Sequence, residues 1–215
     1  MKAAWFTSPY RVVTISIVSV ILMVLALVIM LTRLGLSERT AAASLLVLSF
    51  VIFLIAGVLF TGRALWKWDI KNLATYLIWE RSLVIVPTVT TSLGLVLLSD
   101  MLSASGDPFW ARLGTMAYLF GAVLVVSTET NFVTKNEWNA AQVILYVALA
   151  LLGQAAIGVA LLQTDITAAW IGWIAIIWNM GFLMIFIMMR PRDVYYPVIH
   201  FFLPLIIGLG LVAGR

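Results

Sequence analysis

The chain has 215 residues, of which 64% are hydrophobic and only 10% charged, and its mean hydropathy is +1.12. A water-soluble domain of that size has too little interior to hide so much apolar side chain, so the composition excludes a globular protein and points to lipid. The net charge of +4 is no nucleic-acid signature either, because the lysines and arginines sit at the ends of apolar runs rather than in one basic patch.

A span needs about 20 apolar residues to cross about 30 Å of hydrocarbon. Seven runs meet that requirement, at about 12–31, 41–61, 73–98, 109–128, 139–162, 168–189 and 195–213. The first is too long and too smoothly apolar for a signal-peptide core, and Ala41-Ala42-Ala43 follows a charged loop, so no cleavage is expected. Asn72, Asp100, Asp107-Pro108, Asn136 and Arg190-Pro191 punctuate the runs as helix-boundary signals. Trp66-Lys67-Trp68 reads as an interface anchor. Trp5, Phe109-Trp110, Trp138, Trp170 and Tyr195-Tyr196 extend the same aromatic belt.

With a cytoplasmic N-terminus, the inner side carries Lys2, Arg11, Arg63, Lys67, Lys71, Lys135, Arg190 and Arg192. The outer side carries Arg33, Arg39, Arg112 and Arg215. Eight against four favours the N-terminus in and the C-terminus out. The expected fold is a single all-α domain over residues 1–215, an integral membrane bundle of seven transmembrane helices in the cell (inner) membrane. The longest connections, about 62–72, 99–108 and 129–138, are too short to fold a receptor head or a catalytic domain.

The third run is the informative one. At 100° per residue, Tyr76, Glu80, Val84, Pro87 and Thr91 fall near one line, with Thr88 flanking. Glu80 would lie about 12 Å in from the start of its helix. A carboxylate at that depth must be protonated, paired or hydrated, so the stripe should face the bundle interior. It serves either as a proton or ligand site or as a structural ion pair. Arg81 lies 100° away and should not face Glu80; it would snorkel to the headgroups or reach another helix, with Glu129 as a candidate.

In the last run His200 would lie about 8 Å in, four residues before Pro204. Proline lacks an N–H, so the His200 carbonyl loses its helical partner, and Pro87 does the same to Leu83. Two such broken helices at similar depth either build one small polar site or are ordinary proline kinks. Asn179 would sit about 16 Å from Arg190, near the midplane. It and the glutamines Gln142 and Gln154 are expected to bond across helices, with substrate contact as the other use. Gly210 and Gly214 form a GxxxG that suits helix packing.

The absences exclude much. None of the four lysines lies in a span, so a retinal Schiff base has no attachment point. One histidine and no cysteine leave no bis-His haem, multi-His zinc or thiolate chemistry. HExxH, Walker A and GxSxG motifs are missing. No cofactor and no metal are expected, and catalysis is disfavoured.

Gly158-Val159-Ala160-Leu161-Leu162-Gln163-Thr164, then Ala168-Ala169-Trp170-Ile171-Gly172-Trp173 and Trp178-Asn179, resemble a pattern in small bacterial multi-span proteins of unknown function. There a G-x-A-L-L helix end precedes a short loop and W-x-G-W. The likeness covers about a fifth of the chain. It implies a bacterial origin and carries no activity with it.

Two functions fit these residues. The first is a non-catalytic accessory subunit or compact sensor, acting through lateral contacts with a membrane protein partner or a second copy of itself. The second is a small-solute or proton-coupled transporter whose ligand or proton site is Glu80, Thr91, Asn179 and His200, with backbone breaks at Pro87 and Pro204. A lipid-modifying enzyme using His200 as base is a third, weaker reading.

Overall fold

The structure, a computed structural model, describes residues 35–189 and 200–214 together with isolated positions between 14 and 33. Most of the expected first span therefore lies outside the described residues. So do Trp5, Arg190-Pro191, Tyr195-Tyr196 and the beginning of the expected seventh span.

Six helices are bounded among the described residues, which contain no strand: α1 (Glu38–Ala64), α2 (Leu73–Ala104), α3 (Pro108–Lys135), α4 (Ala140–Gln163), α5 (Ala169–Met189) and α6 (Phe202–Ala213). The first five are long and apolar enough to cross a membrane, and the protein is a helical, membrane-embedded chain. The sixth has 12 residues, a rise of about 18 Å.

The boundary residues act as short polar side chains should. Ser37, Asn72, Asp107 and Asn139 each accept a backbone N–H from the first turn of the helix that follows, and Pro108 fills the first position of α3, where a missing N–H costs nothing. Asn136 closes α3 in the left-handed conformation (φ +57°). Asp100 is different. It lies inside α2, which continues to Ala104. Polar residues after the apolar stretch read as loop, yet a helix that has left the hydrocarbon keeps its backbone hydrogen bonds until a real cap stops it. The same holds for α3, which runs on to Lys135.

Trp66-Lys67-Trp68 forms a tight turn after α1. The Trp66 and Trp68 amides return to the Thr61 and Gly62 carbonyls, Lys67 takes φ +50°, and the Trp68 ring lies over Gly62. Both indoles keep large exposed surfaces, as interface anchors do.

Each helix from α1 to α5 packs against the next in sequence, while α6 packs chiefly on α1. Helix α2 is the most enclosed of the five long helices. Glycines set the closest crossings. A Cβ on Gly153 would lie 2.6 Å from the Gly114 carbonyl oxygen, and one on Gly114 would lie 2.5 Å from that of Gly153. Gly158 and Gly172 oppose each other in the same reciprocal way, at 2.9 and 2.8 Å. With no side chain between them, the two backbones gain dispersion contacts that lipid alone does not supply. The second pair gives physical content to the G-x-A-L-L and W-x-G-W segments: they are the two arms of the α4–α5 hairpin, meeting glycine to glycine.

On α6 the GxxxG works differently from a partner-facing ridge. Gly210 is buried, and a Cβ there would strike Ile171 of α5. Gly214 (φ +77°) stands after the last helical residue with open space around it. Arg39, in the first turn of α1, donates to the Leu211 carbonyl (2.7 Å) and the Ile166 carbonyl (3.1 Å). One guanidinium thus ties together the start of α1, the α4–α5 turn and the end of α6.

Candidate functional site

The predicted stripe on α2 does face inward. Glu80, Val84, Pro87, Thr88 and Thr91 are all buried, and Tyr76 donates its hydroxyl to the Leu59 carbonyl of α1. The helix passes through Pro87 without a break, and Thr88, Thr90 and Ser92 donate their hydroxyls to carbonyls four residues back. The polar side chains gather in two places.

The first is a charged cluster beside the α1–α2 turn. Arg63, at the end of α1, grips Glu80 with two parallel hydrogen bonds of 2.9 Å. The Glu80 side chain is 1% exposed and that of Arg63 27%. Arg81 lies 3.8 Å from the same carboxylate and 3.5 Å from Glu129 of α3. Its guanidinium also stands over the rings of Phe132 (5.1 Å) and Trp138 (4.9 Å), a favourable cation–π position. Of the two destinations open to Arg81, the structure takes Glu129 over snorkelling. The 100° offset from Glu80 is bridged because arginine is long enough to bend back along its own helix. The four charges sum to zero.

The second cluster surrounds His200, which is 3% exposed. Its Nε2 lies 2.6 Å from the Tyr146 hydroxyl of α4 and 3.3 Å from the Tyr118 hydroxyl of α3. Phe201 stacks on Phe53 of α1 at 4.7 Å and so fixes the turn that carries the imidazole. The carbonyl released by Pro204 is taken by the Gln154 amide at 2.9 Å. This is the cross-helix bond that an intramembrane glutamine was expected to make. Helix α2 completes the cluster: Thr88 approaches Tyr146 and Thr91 approaches Tyr118. The Thr91 hydroxyl does not reach hydrogen-bond geometry, and like the Gln154 carbonyl oxygen it is buried with no partner.

Thr91 and His200 are therefore neighbours through Tyr118, and the turn after Pro87 meets the turn before Pro204 through two tyrosines. Glu80 belongs to the other cluster. Asn179 of α5 is fully buried and donates to the Ala175 carbonyl of its own helix, leaving its side-chain oxygen without a partner. Gln142, by contrast, crosses helices and accepts from Thr128 at 2.7 Å.

Three participants escape a reading of the sequence alone. Arg63 counts there only as a topological charge at a helix end, and Tyr118 and Tyr146 are hidden among apolar neighbours. The available signal was for Arg63: a basic residue ending one helix and an acid one turn or two into the next are brought to the same level by a hairpin.

No protein-family model matches the chain, and no curated protein or solved structure matches it significantly.

Proposed function

We propose that this is a seven-span protein of the cell (inner) membrane, N-terminus in and C-terminus out, that acts without catalysis as an accessory subunit or compact sensor through membrane-embedded contacts. The observation that carries the reading is the occupation of both notable interior residues by the chain itself. Glu80 is held bidentately by Arg63, and His200 is enclosed by Tyr146, Tyr118 and Gln154. Groups engaged in this way order a bundle. With loops this short, any output must pass to a neighbour in the membrane.

The Arg39 tie supports the orientation. It holds the end of α6 on the face where α1 begins, opposite Arg63, Lys67, Lys71 and Lys135. The positive-inside rule assigns that basic face to the cytoplasm.

Native mass spectrometry of the chain extracted gently from its own membrane tests the proposal. A protein co-purifying at fixed stoichiometry, or a defined homo-oligomer, is the expected result. A lone chain carrying a reproducible small-molecule mass would overturn it in favour of the second reading, a small-solute or proton-coupled transporter. What favours that second reading is that Thr91 Oγ1 and Asn179 Oδ1, two polar atoms of its site, are buried with no hydrogen-bond partner. Under it, Glu80→Gln and His200→Ala each alter uptake in proteoliposomes, and unchanged uptake in both removes it.

A further inference from the structure

The two buried acids of the charged cluster are not equivalent. Both oxygens of Glu80 are engaged, Oε2 by Arg63 Nε and Oε1 by Arg63 Nη2. Glu129 is 1% exposed, and Glu80 is fully buried. Its Oε1 stands 3.5 Å from Arg81 Nη1, and its Oε2 is buried with no hydrogen-bond partner. A carboxylate within a membrane bundle is accommodated by pairing, hydration or a proton. Glu80 has the first. Glu129 has it only loosely, with one oxygen left over.

We propose that Glu129, rather than Glu80, is the proton-binding carboxylate of this protein. The proposal adds a proton site to the first functional reading above and moves the proton site of the second from Glu80 to Glu129. The groups that face Glu129 are Arg81 and Glu80 from α2 and Tyr146 from α4, while Arg63 of α1 acts through Glu80. A proton arriving from the inner aqueous side adds to the lone pair of Oε2 and no bond is broken. The four-residue cluster then passes from zero to one positive charge. Arg81 keeps a counter-ion in Glu80 at 3.8 Å and keeps its seat on Phe132 and Trp138. Protonating Glu80 instead would neutralise the counter-ion of Arg63 and place a proton on one of the two oxygens that accept from it. Tyr146, within electrostatic reach of Glu129, makes the 2.6 Å contact to His200.

The experiment is a pH titration by infrared difference spectroscopy on the whole chain in liposomes, labelled with ¹³C-carboxyl glutamate. The sequence has four glutamates, and Glu38→Gln with Glu137→Gln silences the two exposed ones. The expected result is a labelled protonated-carboxyl band that survives Glu80→Gln, disappears in Glu129→Gln, and loses its isotope shift in Glu129→Asp. If one of these variants does not fold, the other still decides, since each leaves a single labelled glutamate. A band that vanishes with Glu80→Gln and persists in Glu129→Gln overturns the proposal. So does the absence of any labelled band over the pH range in which the fold persists.

Discussion

Removing Arg63 should cost more than its place at the end of a helix suggests. Breaking a buried ion pair by deleting one partner costs about 3–5 kcal/mol, because a charge is left stranded, whereas an exposed pair is worth about 0–1 kcal/mol. Here the partners differ: the Glu80 side chain is 1% exposed and the Arg63 side chain 27%. In Arg63→Met the stranded charge is the buried carboxylate, with Arg81 at 3.8 Å the one remaining cation within 4 Å among the described residues. We expect a loss of about 3 kcal/mol, the low end of the buried range. In Glu80→Gln it is Arg63 that loses its carboxylate, and being partly exposed it can reach headgroup water, so the loss should be about 1–2 kcal/mol. The double variant strands neither and should lose no more than Arg63→Met alone, a coupling of about 1–2 kcal/mol. The nine tryptophans give a fluorescence readout of denaturant unfolding in bicelles. If the two single losses add to within about 0.5 kcal/mol in the double variant, the pair is not coupled and the reasoning fails.

Gly158→Val should destabilise by about 1–3 kcal/mol through overpacking, since its Cβ would meet Ala175 at 2.7 Å and the Gly172 carbonyl at 2.9 Å. Gly181→Ala, with open space around it, should be near neutral in the same unfolding assay, and equal effects would refute the packing account. Gln154→Leu should cost about 1–3 kcal/mol by removing the buried hydrogen bond to the His200 carbonyl. Pro204→Ala restores an N–H to that carbonyl, so the loss should shrink when both changes are made, and a loss undiminished in the double variant would sever the link between Pro204 and Gln154.

The long apolar helices were legible because lipid imposes one requirement, apolar length, and α1 to α5 answer it directly. So were the caps at Asn72, Asp107 and Asn136, where a short polar side chain meets a run of orphan backbone groups. The inward face of α2 followed from the periodicity of Glu80, Pro87 and Thr91. The partners of those residues did not follow. Helical spacing says which way Glu80 points and nothing about what stands opposite, and only the hairpin geometry brings Arg63 to it. Tyr118 and Tyr146 are aromatic residues in apolar helices, and periodicity counts them as packing. Their hydroxyls matter because His200 arrives from a helix distant in sequence. Gly210 does pack one helix on another, but its partner was hidden in the same way. A GxxxG marks a surface that permits close approach, but it does not say whether the neighbour belongs to the same chain, and here Ile171 does.

The placement of α6 bears on how the molecule is made. Ribosomal synthesis delivers helices in chain order, and α1 through α5 each find their neighbour as soon as it emerges. Helix α6 does not. Its seat is on α1, where Gly208 lies so close to Ala43 that a Cβ would stand 2.9 Å from the carbonyl oxygen. Arg39 must wait for the Leu211 carbonyl, 172 positions further along the sequence. Until then α1 presents an unfilled groove to the lipid and the insertion machinery, and Arg39 has only the Ile166 carbonyl of its two acceptors. The final closure is thus the step with the longest loop to shut and the one at which a chaperone of membrane insertion, or a competing helix, has the most time to intervene.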